Sequence, residues 1–242
     1  MRLGVFSDVH SNLEALEAVL DAYKTEEIDI YFCIGDIVGY GANPVECTKI
    51  IQEIARISVA GNHDQAAVGL FSLDYFNEWA KQALLWTQKK IDEDSRNFLA
   101  ALRLVYENDF LTLVHGNLNA PAEFDCLADI FQAAETFRLM KRQVCFIGHT
   151  HKCGVFVQDK NGRVDYKREM RINIQEESRY IVNVGSVGQP RDGDNKASYC
   201  VYDTIKQGIS LKRVGYDIKT AQAKIIAAGL PRFLSTRLSI GR

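Results

Sequence analysis

The chain has 242 residues, with 29 Lys and Arg against 31 Asp and Glu, a formal net charge of −2, 47% hydrophobic and 25% charged residues. That balance is expected of an ordinary globular protein with enough apolar material for a core. It excludes a general electrostatic attraction to nucleic acid or anionic membrane, and no apolar run approaches the ~20 residues that span a bilayer. An anionic substrate must therefore be held by local positive charge, which bound metal ions can supply.

In chain order, Leu3 to Phe6 reads as a buried strand ending at Ser7-Asp8, and Asn12 as the cap of a helix with Leu13, Leu16, Val19 and Leu20 on one face. Ile28 to Ile34 is a second strand, broken at Gly35-Asp36. Pro44 opens a helix at a position that proline tolerates, and Ile57 to Ala60 is a third strand ending at Gly61. This strand–helix alternation predicts parallel pairing, with ligands at the carboxyl ends of the strands. A helical segment is expected at about 66–104, with one stripe through Phe76, Trp79, Ala83, Leu84 and Ile91. It packs in the core or lies as a lid over the region after His63-Asp64.

Phe110 to Val114 and Val144 to Ile147 are further strands, ending at His115 and Gly148. The remainder reads as all-β: Gly154–Gln158, Asp165–Glu169, Tyr180–Val184, Tyr199–Tyr202 and Ile209–Val214, with Lys160-Asn161-Gly162 as a hairpin turn. Pro231 to Arg242 is a basic tail or surface helix. No linker or repeat divides residues 1–242, so one domain with two sheets sharing a core is expected. None of the six cysteines forms a C-x-x-C pair, which argues against a zinc ribbon or dithiol site. Cys153, two residues past His151, is expected to be a small buried residue and not a ligand. An N-terminus that runs directly into a motif, with scattered cysteines, fits free thiols and a cytoplasmic location.

All five histidines fall in short motifs beside Asp, Asn or Gly: Asp8-Val9-His10, Gly61-Asn62-His63-Asp64, His115-Gly116-Asn117 and Gly148-His149-Thr150-His151. Imidazole is the commonest biological metal ligand. If the chain stays extended through Asp8-Val9-His10, both side chains point to one side and can grip one ion. Asp36 adds a carboxylate able to bridge two ions, and Asn62 adds an amide oxygen. An N/O donor set without thiolate favours Mn²⁺, Fe²⁺ or Zn²⁺ in a catalytic role over structural zinc.

The ordered series Asp8-x-His10, Gly35-Asp36, Gly61-Asn62-His63-Asp64, His115-Gly116 and Gly148-His149-x-His151 resembles the calcineurin-like metallophosphoesterase superfamily. Finer matches, in Ser7 to Asn12, Gly35 to Gly41 and Asn183 to Asp192, resemble its compact YfcE-like branch. The resemblance extends to about Asp203 and implies an α/β fold, a four-layer α/β/β/α sandwich of two mixed sheets flanked by helices. It further implies two divalent transition-metal ions, Mn²⁺ or iron favoured. Asp8, His10, Asp36 and His151 would hold one, and Asp36, Asn62, His115 and His149 the other. His63 would face the substrate phosphate as general acid or transition-state stabiliser, with Asp64 orienting it and Asn62 also beside the substrate. Ser11, where many relatives have Gly, and Asn117-Leu118, where many have a small residue and Pro, depart from the pattern without removing a ligand.

The implied activity is hydrolysis of small phosphodiesters or phosphomonoesters by a hydroxide bridging the two ions. The implied partner is a small phosphorylated substrate, with no nucleic-acid or membrane footprint and room for a homo-oligomer. A protein serine/threonine phosphatase or a dinucleoside-polyphosphate hydrolase uses the same core. A scaffold of the same fold, as in one retromer subunit, has an impaired site, whereas all five histidines are present here. Arg191, after Pro190 in a Gly-Ser-rich turn, has the geometry to contact phosphate; alternatively it bonds loop carbonyls or pairs with Asp192 or Asp194. Tyr40 lines the pocket or packs.

Overall fold

In β1 (Arg2–Phe6), Leu3 and Val5 face one side of the strand and Phe6 the other, and all three are fully buried. A strand buried on alternate faces must lie in a sheet covered on both sides. The computed structural model describes residues 1–242 and places β1 in the middle of a six-stranded mixed sheet. Its order is β3 (Ala55–Ser58), β2 (Ile30–Cys33), β1, β11 (Ala197–Asp203), β12 (Gly208–Val214) and β9 (Arg171–Asn173). β1, β2 and β3 are parallel, with Leu3 opposite Ile30 and Phe32 opposite Ile57, while β1, β11, β12 and β9 pair antiparallel.

The second sheet also has six strands, in the order β4 (Val105–Glu107), β5 (Thr112–Val114), β6 (Val144–Ile147), β10 (Arg179–Asn183), β7 (Gly154–Gln158) and β8 (Val164–Lys167). Its central β5, β6 and β10 are parallel. The two sheets pack face to face through Leu3, Val5, Phe32, Ile34, Val144, Phe146, Val182 and Leu211. Alternation sends Cys145, Ile147 and Ile181 to the opposite face, against Ala133 and Phe137 of α6 (Ile130–Leu139). Phe6 and Cys33 pack beneath α1 (Leu13–Tyr23) and α2 (Pro44–Ile54). Helices thus cover the outer face of each sheet, giving the four layers expected. Each fully buried aliphatic or aromatic side chain contributes roughly 1.5–3 kcal/mol, so the interior between the sheets and the layer beneath α1 and α2 are both large sources of stability.

After β3 come α3 (Asn62–Ala67), a 3₁₀ turn (Leu73–Tyr75), α4 (Glu78–Lys90) and α5 (Glu93–Ala100). The helical middle therefore begins at Asn62, inside a motif. The all-β reading of the last third needs correction. α7 (Ile218–Ala227) and α8 (Arg232–Leu238) follow β12, and their Ala221, Ile225, Leu234 and Leu238 pack with Ala80 and Ala83 of α4. The basic tail is thus a docked helix, because its Leu234 and Leu238 repeat at helical spacing and bury.

Candidate metal centre

The parallel strands β1, β2, β3, β5 and β6 end at Phe6, Cys33, Ser58, Val114 and Ile147, and the motif loops follow at once. Two sheets with their carboxyl ends side by side therefore bring five loops to one place. The expectation of an extended chain through Asp8-Val9-His10 is corrected. Asp8 (φ 55°), His10 (φ 50°), Asp36 (φ 51°), His149 (φ 66°) and His151 (φ 58°) all lie in the left-handed region. For non-glycine residues this costs on the order of 1–2 kcal/mol each, so surrounding bonds must hold it. They do. His10 N–H donates to Asp36 O (2.9 Å), Asp8 N–H to Gly35 O (3.0 Å), Gly188 N–H to Asp8 O (2.9 Å) and Gly148 N–H to His115 O (3.0 Å). A Cβ on Gly61 would stand 2.1 Å from Asp36 Oδ1, and one on Gly148 2.4 Å from Asp8 Oδ2. The motif glycines leave the space into which the carboxylates fit.

Two groups of side chains result, Asp8, His10, Asp36 and His151 in one, and Asp36, His115 and His149 in the other, with facing atoms within 4.8 Å of one another in each. Asp36 belongs to both. Its Oδ1 accepts from His63 N–H at 2.8 Å, while its Oδ2 lies 3.6 Å from His10 Nε2 and 3.2 Å from His115 Nε2. A single oxygen, Oδ2, thus stands between the groups.

The donor set fits a cation. His10 Nδ1 donates to Val38 O (3.0 Å), His151 Nδ1 to Gln189 O (2.6 Å) and His115 Nδ1 to Ile34 O (2.6 Å). A carbonyl only accepts, so each proton sits on Nδ1, and in the neutral ring Nε2 is a bare lone pair. Yet His10 Nε2 faces His151 Nε2 at 3.0 Å, with Asp8 Oδ1 3.2 Å from the latter. Lone pairs and a carboxylate converge, an arrangement that a cation relieves and that second-layer carbonyls commonly orient. In the second group His115 Nε2 faces His149 Nδ1 at 3.2 Å. Asn62 Oδ1 is buried without a hydrogen-bond partner, which costs about 1–3 kcal/mol unless something electropositive meets it. In the chain alone, burial pushes the His115 imidazole down but neighbouring Asp36 outweighs it and raises it to about 10, a sign of how strongly the carboxylates here favour a positive charge at this position.

The ring nitrogens of His63 make no hydrogen bond to either group, and Nδ1 is buried and unpartnered. The ring packs against Tyr40 (4.4 Å between centroids), His10 (4.7 Å) and Phe76 (4.9 Å). Burial holds its imidazole down to about 4 in the chain alone, with Asp36 opposing and Arg191 adding to the effect. The idea that Asp64 orients His63 is corrected. The Asp64 carboxylate accepts from the backbone N–H of Ile37 (2.8 Å), Val38 (3.2 Å) and Gly61 (3.1 Å), and so ties the loop after β2 to that after β3. Arg191 does not pair with Asp192 or Asp194. Its guanidinium donates to Gln189 Oε1 (2.7 Å) and lies over the Tyr40 ring (5.4 Å), while Asp192 pairs with Arg213. Cys153 Sγ faces Ser198 Oγ (3.3 Å) and Arg213 and belongs to neither group.

Motif reading passed over Asn183 and Ser186 as individuals. Asn183 Nδ2 donates to Gly148 O (2.8 Å) and Thr150 Oγ1 (2.9 Å), and Ser186 Oγ to Asp8 O (2.8 Å). Their signal was a buried amide and hydroxyl at the end of an apolar strand, where a polar group needs a partner.

The calcineurin-like phosphoesterase superfamily domain matches residues 1–207. An uncharacterised protein of Methanocaldococcus jannaschii is 42% identical over 249 residues, covering 99% of this chain and 98% of that one. A crystal structure of a metallophosphoesterase from Sphaerobacter thermophilus superposes with a TM-score of 0.89 at 38% identity, covering 100% of this chain and 99% of that one. A hypothetical protein from Pyrococcus horikoshii OT3 shares the fold, with a TM-score of 0.79 at 19% identity over 100% and 98% of the two chains. With its motif loops gathered at the carboxyl ends of two facing sheets and the family match running over most of its length, the chain belongs to the calcineurin-like phosphoesterase superfamily.

Proposed function

We propose that the protein is a dinuclear metal-dependent phosphoesterase that hydrolyses small phosphodiesters or phosphomonoesters with water as nucleophile. Asp8, His10, Asp36 and His151 hold one divalent ion, and Asp36, Asn62, His115 and His149 the other. An all-N/O donor set favours Mn²⁺ or iron, with Zn²⁺ also suited. The observation that supports this reading most strongly is the place of Asp36 Oδ2, 3.6 Å from His10 Nε2 and 3.2 Å from His115 Nε2. When bound, such a pair of ions supplies the positive charge that clamps phosphoryl oxygens and makes water nucleophilic near neutral pH.

The remaining work falls to the chain. His63 protonates the leaving oxygen; the anionic substrate beside it offsets the burial that holds the imidazole down to about 4. Tyr40 and Phe76 pack against His63 and keep water from its flanks. Arg191, steadied by Gln189 and Tyr40, presents its remaining N–H groups to the phosphoryl oxygens. Asp64 keeps the loops carrying Asp36 and Asn62 in register. The reading is tested by stripping the purified protein of metal, reloading it with Mn²⁺, Fe²⁺ or Zn²⁺, and assaying nitrophenyl phosphate and bis(nitrophenyl) phosphate. Activity should return with metal up to two ions per chain. Full loading without hydrolysis of any ester contradicts it.

A further inference from the structure

Two cavities meet beside the second ligand group. The first, about 430 Å³, is lined by His149, Thr150, Lys152, Tyr166 and Arg191 among others. The second, about 600 Å³, shares Lys152, Tyr166 and Arg191 with it and adds Arg168, Arg213 and Arg242. Tyr166 packs on Phe156 with ring centroids 4.8 Å apart, and its hydroxyl donates to Cys153 O at 3.4 Å, so the ring forms a fixed ledge between the two spaces.

The charges of the second cavity do not cancel. Arg213 is neutralised by Asp192, but Lys152, Arg168 and Arg191 pair with no carboxylate. Asp194 is the only other acidic side chain on the wall, so the side chains of Lys152, Arg168, Arg191, Arg213 and Arg242 face only two carboxylates. In a chain whose net charge is −2, this is a local excess of cation next to the metal centre. Two of these cations are guanidinium groups, which match phosphate oxygens in a two-point fork. The space opens to solvent but is only about 600 Å³, a size that suits a small molecule and not a duplex or a long strand, which would call for an extended basic face.

We propose that this second cavity binds a further phosphate of the substrate, so that the natural substrate is a small phosphoester carrying a second phosphate group remote from the one hydrolysed. This rests on the phosphoesterase reading above for the first phosphate only. Lys152 and Arg191, on both walls, touch the connecting region. Arg168 contacts the second phosphate alone.

The test uses the metal-loaded protein and phosphonates, whose P–C bonds are not hydrolysed. Calorimetry compares alkylphosphonates with α,ω-alkane bisphosphonates of three to eight carbons. At the chain length that spans the two cavities, the bisphosphonate should bind at least about tenfold tighter than the monophosphonate, the gain of one charge-assisted contact. Arg168→Ala should remove that gain and leave the monophosphonate Kd within about twofold, whereas Arg168→Lys should keep part of it. The gain should also shrink as salt is raised, as a partly exposed charge contact requires. Bisphosphonates binding no tighter than monophosphonates at any length, or a gain untouched by Arg168→Ala, overturns the proposal. Selective bisphosphonate binding by a protein that turns over no phosphoester upholds this site and sinks the hydrolytic reading, so the two can fail separately.

Discussion

The two proposed ion positions share Asp36 but are built differently. Asp8, His10, Asp36 and His151 are each at most 2% exposed, and all four are either carboxylates or histidines tied through Nδ1 to a backbone carbonyl on another loop. In the second group His149 is half-buried and lines a cavity, and the fourth donor is the neutral amide of Asn62. A closed position whose donors are carboxylates and anchored imidazoles retains its ion; one with a weaker neutral donor and open to a cavity exchanges it and meets substrate, as in catalytic sites that keep a coordination position free. The backbone joins them as well, since His149 N–H donates to Asp8 Oδ2 at 3.1 Å, so the open position is hung from the closed one.

The largest effect expected follows from the shared oxygen. Asp36→Asn should lower metal content at both positions and take turnover to background, well past the ~10–100-fold typical of groups that only support a ligand. Asp8→Asn should cost chiefly the closed position. Metal titration of the two variants decides this, and equal single-position losses in both would show that Asp36 is no bridge.

Next comes His63, whose ring packs on His10 and whose backbone N–H donates to the shared Asp36. His63→Gln should keep two ions per chain and lose ~10²–10⁴-fold in kcat on an alkyl phosphate, with a smaller loss on a nitrophenyl ester whose leaving oxygen needs less help. Loss of metal in this variant would make His63 a ligand.

Asp64→Ala leaves three buried N–H groups on two loops without an acceptor. A loss on the order of 3–5 kcal/mol of stability is expected, read as a lower urea midpoint at unchanged slope. An unshifted midpoint would mean that the loops hold without it.

The smallest effect belongs to the neutral donor. Asn62→Ala should weaken only the open position, roughly 10-fold, and leave the first ion in place. A loss at the closed position instead would erase the distinction between the two.

What could be read from the sequence divides along physical lines. β6 and β7 were read at their exact bounds because apolar runs ending at Gly or a turn leave little choice, and Pro44 marked the first turn of α2. α6 was not anticipated: Phe131 is 77% exposed and breaks the stripe formed by Ala133 and Phe137. α7 left a legible signal, since Asp217 caps it by accepting from Thr220 N–H at 3.0 Å. β4 and β9 are three-residue strands defined by their partners across the sheet, which no local pattern encodes. At the site, the residues that converge were legible as types and spacing. How they converge was not: the left-handed backbone at Asp8 and His10 is imposed by bonds to loops 26 or more residues away. Asp64 was misassigned because an acid beside a histidine suggests a pair, while an acid at the third helical position after Gly61 is also a capping residue.

The most direct test of the bridged pair is anomalous diffraction from crystals of the protein loaded with Mn²⁺. Two peaks are expected on either side of Asp36 Oδ2, one within about 2.0–2.3 Å of donors from Asp8, His10 and His151, the other of donors from Asn62, His115 and His149. At limiting Mn²⁺ the first peak should fill before the second. A single peak, or two peaks that do not share Asp36, would contradict a dinuclear centre.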